Sequence, residues 1–401
     1  MKPKVNKHAP VSRRWLRDIL AALYRIRPAT RADVASHAKL NNASVSRGLQ
    51  QLDGAGIIRK VGKLDSRGGR PREVISLEPS ACTFIAMDLE GVTVRCTLTD
   101  LLGNFRLRWE EQVSLGQALP VERVFAGIDV LLRDATPAQR ERVQAIGVSF
   151  PGLLDEQGCL TAVNLGWHDV PLERLLTERY RLPVFLERDE ATCIRAERSH
   201  GLAKQARDWM YLIVSNGIGV GFVVDGRHVS GHTKMSGELG HVTVDPHSTI
   251  QCQCGKYGCL ETIASTPAIL RQYGELTGST ASSLACIRLA EIFERARRGE
   301  VSALAVVKRA AEALGFTLSY AVNLLNPELI LLGGDIVCGQ DLILPWIRSE
   351  IARHALPQLA SAVSFAVSDL GPDIRLRGAA SLAFHRCLRD PSLLARLCRI
   401  A

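Results

Sequence analysis

Leu16, Ile19, Leu20 and Leu23 recur at the i, i+3, i+4, i+7 spacing of a helix with one buried stripe. Thr30 then offers a side-chain oxygen to the first turn of a second helix, Arg31 to Ala38, with Asp33 at its third position. After a turn at Lys39-Leu40-Asn41, Asn42 is expected to cap a third helix. Its Val45, Leu49 and Leu52 would face inward, and Ala43, Ser44, Ser46, Arg47 and Gln50 outward. Ile57 to Val61 and Arg72 to Leu77 read as paired strands, with Arg67-Gly68-Gly69-Arg70-Pro71 at the tip between them. Three helices and a hairpin in this order predict a winged helix-turn-helix over residues 1–80, and Leu77-Glu78-Pro79-Ser80 reads as a short linker after it.

Beyond that point two segments share one design. Phe84 to Phe105 alternates strand, glycine-containing turn, strand and the turn Leu102-Gly103-Asn104. Met210 to Val229 repeats it with Gly217-Ile218-Gly219-Val220-Gly221 and the turn Asp225-Gly226. A hairpin start followed by helices, used twice, predicts two α/β lobes with a ligand cleft between them. Later, a helical run from Val301 to Leu325 stops at Asn326-Pro327, and Leu329 to Leu332 forms a buried strand that enters Gly333-Gly334. Glycines after a strand permit close approach of a nucleotide, although alone they mark only a tight turn.

Charge sharpens this division. Residues 1–80 hold 17 Lys/Arg against 6 Asp/Glu, whereas the rest of the 401-residue chain holds 33 against 35. A compact basic module on a near-neutral body is the electrostatic footprint of a nucleic-acid-binding domain joined to something else. Ser44, Ser46, Arg47 and Gln50 are the expected major-groove readers, and Arg67 and Arg70 at the wing tip suit the negative minor groove of A·T-rich DNA. The 46% hydrophobic and 23% charged fractions argue against a disordered chain. No run approaches the roughly 18 apolar residues of a membrane span, so a cytoplasmic location is expected.

Eleven cysteines are mostly scattered, as reduced buried thiols would be, except Cys252, Cys254 and Cys259. With His241 upstream, C-x-C-x4-C supplies three thiolates and an imidazole for a tetrahedral zinc ion. With all four positions filled by protein, that zinc would be structural, because no bound water is left to activate.

Gly237-Glu238-Leu239-Gly240-His241, the run from Cys252 through Cys259-Leu260-Glu261, Ser149-Phe150-Pro151-Gly152 and the glycine loop at Gly217 together resemble the ROK family of repressors and sugar kinases. The winged module resembles that family's DNA-binding repressor branch. The resemblance implies an α/β fold in which the winged helix-turn-helix precedes an actin-like, hexokinase-like two-lobed domain. The first lobe is expected at 81–190, with a C-terminal helix from about 375–401 packing back on it. The second, at 191–374, would carry the zinc and the surface for a homodimer or tetramer. By matching motif, Glu238, His241 and Glu261 would bind sugar hydroxyls, with His241 also touching zinc. Asp189 falls where the kinases place the proton-accepting carboxylate, and Asn164 is a further sugar contact.

The sequence departs from the kinase pattern where ATP would sit. The phosphate loop Asp-x-Gly-x-Thr is Asp88-Leu89-Glu90-Gly91-Val92, and Asn216 replaces a threonine of the second phosphate loop. A carboxylate about 4 Å from a phosphate oxygen repels it by roughly 4 kcal/mol at an effective dielectric near 20. Arg188 stands where the family has asparagine, and Ala191 replaces the motif's later asparagine; Arg188 either favours a phosphorylated sugar or pairs with Glu187 or Glu190. The expectation is therefore a non-enzymatic repressor of carbohydrate uptake or catabolism genes. It would bind operator DNA and be released by a sugar or sugar phosphate. A sugar kinase with a DNA-binding appendage, or a repressor governed by a partner protein, is the alternative.

Overall fold

A computed structural model describes residues 12–64, 72–90, 93–112, 118–162, 165–279 and 287–398. The chain divides into two compact units, Met1–Ser199 with Asp373–Ala401, and His200–Pro372. In chain order the first unit begins α1 (Arg13–Ile26), β1 (Ala29–Thr30), α2 (Arg31–Ala38), α3 (Asn42–Gly54), β2 (Ile58–Leu64) and β3 (Arg72–Leu77). It continues β4 (Thr83–Glu90), β5 (Thr93–Asp100), β6 (Phe105–Gln112), α4 (Val121–Asp134), α5 (Pro137–Glu141) and β7 (Val143–Phe150). Then follow β8 (Leu153–Leu154), β9 (Leu160–Ala162), β10 (Trp167–Val170), α6 (Leu172–Tyr180), β11 (Val184–Arg188) and α7 (Asp189–Ser199). The second unit runs β12 (Trp209–Val214), β13 (Ile218–Val224), β14 (Arg227–His228), α8 (Glu261–Ala264), α9 (Thr266–Thr277), α10 (Leu289–Arg297) and α11 (Val301–Leu325). It ends with β15 (Leu329–Gly333), α12 (Gln340–His354), α13 (Pro357–Ala362) and β16 (Ser364–Val367), after which α14 (Ile374–Arg389) and α15 (Pro391–Leu397) return to the first unit.

The amphipathic stripe makes α1 a helix: Leu16, Ile19, Leu20 and Leu23 are all fully buried. A reciprocal capping box starts α2, with Asp33 N donating to Thr30 Oγ1 at 3.3 Å and Thr30 N to the Asp33 carboxylate at 2.8 Å. The cap of α3 is Asn41, one residue before the expected Asn42. Lys39 closes α2 in the left-handed region, which leaves Asn41 extended with its Oδ1 accepting from Ser44 N at 2.8 Å. Strands β2 and β3 pair antiparallel, with β1 on the other side of β3.

The stretch expected to be a linker is a fixed junction. Leu77 is fully buried, Glu78 N donates to Ile57 O at 2.8 Å, and the Ser80 hydroxyl donates to the Glu78 carboxylate at 2.7 Å. The helical module shares one apolar core with the body, where Leu20 and Tyr24 join Phe84, Phe384, Leu388, Leu394 and Leu397. Tyr24 stacks on Phe384 at 4.3 Å between ring centroids, and its hydroxyl lies 3.1 Å from Ser381 Oγ. The C-terminal helix expected from about residue 375 is two helices, because Asp390 ends α14 and caps α15 by accepting from Ser392 N and Leu393 N. Residue 190, the expected end of the first lobe, lies inside α7, which remains in the first unit to Ser199.

Each unit is built on a five-stranded mixed sheet, and the two have the same topology. The orders are β6-β5-β4-β7-β11 and β14-β13-β12-β15-β16. In both, the first three strands form an antiparallel meander and the last two run parallel to the first. Parallel strands bring their C-terminal ends to one edge, where side chains of successive loops can converge on a ligand. Helix α14 lies close on the first sheet, and a Cβ on Gly147 would collide with the Ala379 carbonyl oxygen. In the second unit α11 supplies the buried Val306, Ala310, Leu314 and Leu318 to the core that includes Leu212 and Leu332. Among the described residues, no helix is long and apolar enough to cross a membrane.

Candidate functional site

In the second unit the expected metal ligands come together. One nitrogen of His241 and the sulfurs of Cys252, Cys254 and Cys259 all lie within 4.8 Å of one another. Cys254 and Cys259 Sγ are 3.7 Å apart, and His241 Nδ1 is 3.6 Å from Cys252 Sγ. A tetrahedral ion with Zn–S near 2.3 Å separates its sulfurs by about 3.8 Å, so the set fits a structural zinc ion. The chain reaches this shape because Gly258 takes φ +72°, and a Cβ there would strike the Asp245 carbonyl oxygen. Burial, then the neighbouring thiols, push Cys259 up to about 12, whereas the Lys256 backbone N–H pulls Cys254 down. A cation among them relieves that crowding by taking the sulfurs as thiolates.

The expected sugar-binding carboxylates of this unit stand around the same histidine. With Nδ1 toward the cysteines, His241 turns Nε2 to Glu238, 3.8 Å from its Oε2. A Cβ on Gly237, at φ +95°, would strike the Val220 carbonyl oxygen, so glycine alone lets Glu238 start its turn against β13. Glu261 opens α8 directly after Cys259-Leu260; its Oε2 accepts from Ile218 N at 3.1 Å, and its Oε1 lies 3.9 Å from Cys252 Sγ. Glu238, His241 and Glu261 are each half-buried, so their polar atoms remain reachable. A metal among these ligands would hold one side of the imidazole, whose other nitrogen lies within 3.8 Å of Glu238.

Asp189 lies in the first unit, where β11 passes into α7, and its Oδ1 accepts from Glu190 N at 3.0 Å. Thr192 Oγ1 donates to Asp189 O at 2.7 Å and lies 2.8 Å from Ser149 Oγ, which ties this turn to the end of β7. Arg188 takes the pairing alternative, with Glu190, although not turned outward: its Nε is 2.9 Å from Glu190 Oε1, and both side chains are largely buried. Burial and then the Asp189 carboxylate push Glu190 up to about 9, against the pull of Arg188. Asn164 lies outside the described residues.

Glu90 is not the lone carboxylate that its sequence position suggests. Its two oxygens lie 2.7 Å from Arg95 Nη2 and 2.6 Å from Arg375 Nη2. The buried Asp88 is 2.8 Å from Arg95 Nη2 and 3.0 Å from Arg375 Nε. Two carboxylates and two guanidiniums pair here, so the Glu90 charge is balanced by arginines, which corrects the expected electrostatic repulsion. Both guanidiniums at the end of β4 are therefore already engaged by carboxylates of the chain. Gly91 and Val92 lie outside the described residues. At the corresponding end of the second sheet, Asp335 follows Gly333-Gly334; its backbone N–H donates to Ser215 Oγ at 3.1 Å, and its carboxylate accepts from Thr266 Oγ1 at 3.2 Å.

On α3, Ser46, Arg47 and Gln50 are at least partly exposed. Ser44 is 1% exposed, which corrects its expected outward position: the helix begins so that its fourth-turn partners Ser44, Gly48 and Leu52 share the packed face. Arg67 and Arg70 lie outside the described residues. Sequence reading missed four residues here. Arg31 Nη1 donates to Ser46 Oγ at 3.1 Å, and the Arg47 guanidinium sits over the Trp15 ring at 5.3 Å. Arg95 faces Asp88 across the β4–β5 ladder, a pairing visible in the hairpin register, whereas Arg375 carries no local signal.

Residues 84–386 match the ROK family. A glucokinase of Halalkalibacterium halodurans is 31% identical over 307 residues, covering 74% of this chain and 93% of that protein. A xylose repressor of Bacillus spizizenii is 26% identical over 373 residues, covering 92% of this chain and 94% of its own. The crystal structure of a ROK family transcriptional regulator, described as a homolog of the E. coli MLC protein, superposes with a TM-score of 0.79 at 25% identity, covering 96% of this chain and all of that one.

Proposed function

The chain belongs to the ROK family, and from that premise we propose that it is a DNA-binding transcriptional repressor whose grip on its operator is set by a sugar. The observation that carries the reading is a contrast of two ends of strands. The groups suited to sugar hydroxyls, Glu238, His241 and Glu261, stand together and half-exposed, whereas the end of β4 is occupied by the Glu90–Arg95–Arg375 pairing. Similarity to a xylose repressor and to a ROK transcriptional regulator over more than nine-tenths of the chain supports the repressor role.

In this reading a sugar or sugar phosphate is held by Glu238, His241 and Glu261 of the second unit. Its binding shifts the balance between conformations with different operator affinity. The operator is an inverted repeat read by a homodimer, with Ser46, Arg47 and Gln50 in the major groove and Arg67 and Arg70 on the wing. Affinity falls steeply with salt because phosphate contacts release counterions. The target genes serve carbohydrate uptake or catabolism. The similarity to a glucokinase supports a second reading, an active sugar kinase carrying a DNA-binding module.

The test starts from duplexes selected out of a random library by the full chain, followed by anisotropy titrations against a panel of sugars and sugar phosphates. A sugar that releases the wild type should leave Glu238→Ala on the same duplex at every concentration. An unchanged sugar response in Glu238→Ala puts the effector elsewhere, and the absence of any selected sequence removes the repressor reading.

A further inference from the structure

The exposed face of α3 is tied down from two sides. Arg31, in the first turn of α2, donates to Ser46, while Trp15, in the first turn of α1, lies under the guanidinium of Arg47. Trp15 has no place on the stripe that packs α1: Leu16, Ile19, Leu20 and Leu23 fill the core, and Trp15 stands beside them, half-buried. Helices α1 and α3 pack closely beside Arg47: the end of the fully buried Ile19 side chain lies against Gly48, where a Cβ would touch it.

The Arg47 guanidinium lies over the Trp15 ring, with its Cζ 5.3 Å from the centroid, and carries five N–H donors in one plane. Among the described residues Arg47 has no carboxylate partner that would claim them. The O6 and N7 acceptors of guanine in the major groove match two parallel donors of that fork. A free arginine side chain would have to lose rotamer freedom to present such a pair; the cation–π contact with Trp15 removes part of that loss before DNA arrives. We infer that Trp15 is a positioning residue for operator recognition, holding Arg47 to read a guanine, with Arg31–Ser46 steadying the same helical turn. This rests on the DNA-binding reading above, and it assigns the recognised base and a residue outside the recognition helix that governs it.

The experiment uses the full chain and three variants, Arg47→Lys, Trp15→Leu and Trp15→Phe. Each is carried through the same duplex selection, with affinity also measured for the selected site, for that site with each guanine replaced in turn, and for an unrelated duplex at low salt. Arg47→Lys should lose preference at one guanine by roughly 5- to 100-fold, the span of one good bidentate base contact. Trp15→Leu should lose preference at that same base and no other, by roughly 2- to 5-fold, as expected of one exposed cation–π contact. Its binding to the unrelated duplex should be unchanged, and Trp15→Phe should recover part of the preference. Undiminished guanine preference in Trp15→Leu overturns the inference. So does an equal loss on specific and unrelated duplexes accompanied by a lower melting temperature, which marks a purely structural tryptophan. If the wild type selects no sequence, the DNA-binding reading falls first and this inference with it.

Discussion

The two sheets share strand order and direction, yet the first hairpin of each ends in different chemistry. At the end of β4 the chain places Asp88 and Glu90 against Arg95 and Arg375, and these ionic contacts hold the start of α14. At the end of β12 it places Ser215-Asn216-Gly217, with Glu261 accepting from Ile218 N beside the cysteine cluster. Topology determines where ligand-facing groups gather; a few side chains decide whether such an edge grips a ligand or grips the protein itself. The first hairpin ends in ion pairs within the unit, and the second keeps polar groups within reach of solvent.

That difference makes the units respond differently to substitution: one through its metal, the other through its ion pairs. The largest effect is expected in the second unit: Cys254→Ser should lose the zinc and, since metal binding at such sites is folding energy on a scale of about 10 kcal/mol, loosen that unit by several kcal/mol. Elemental analysis with hydrogen exchange resolved by segment would check it; an unaltered metal content, or equal loosening of both units, would break the comparison. Arg375→Met acts in the first unit. It leaves Asp88 buried with one guanidinium fewer, and removing one partner of a buried ion pair typically costs about 3–5 kcal/mol. Calorimetry should show this loss with zinc content intact, and a change below about 1 kcal/mol, the level of a surface pair, would mean these ion pairs are not holding α14.

A third effect, seen as a slope in pH rather than as a loss of stability, follows from Glu190. Its folded value is raised to about 9 from an ordinary 4.5, chiefly by burial. Between those values the folded state binds the extra proton, so this group makes stability fall as pH rises from about 4.5 to about 9. Glu190→Gln should flatten that part of the melting-temperature profile. A profile parallel to the wild type would place the titration elsewhere.

What the sequence disclosed follows from the range of each signal. The α1 stripe, the Thr30–Asp33 capping box and the cysteine spacing are local, and each is legible within about ten residues. The cap of α3 was misplaced by one residue because Asn41 and Asn42 have the same capping chemistry; only the left-handed Lys39 decides between them, and that shift hid the burial of Ser44. Arg375 could not be paired with Asp88 from spacing, since 287 positions separate them. The supposed linker failed for the same reason, because Tyr24 packs on Phe384 near the other end of the chain. Long-range burial is what a single sequence conceals.

The most direct measurement is ADP release by the wild-type protein with ATP and each sugar that raises its melting temperature. A sensor whose β4 edge is filled by Glu90 and its two arginines binds such a sugar and releases no ADP above the sugar-free rate. Saturable, sugar-dependent ADP production would contradict this, showing that the paired carboxylate yields to phosphate and that both edges still serve catalysis.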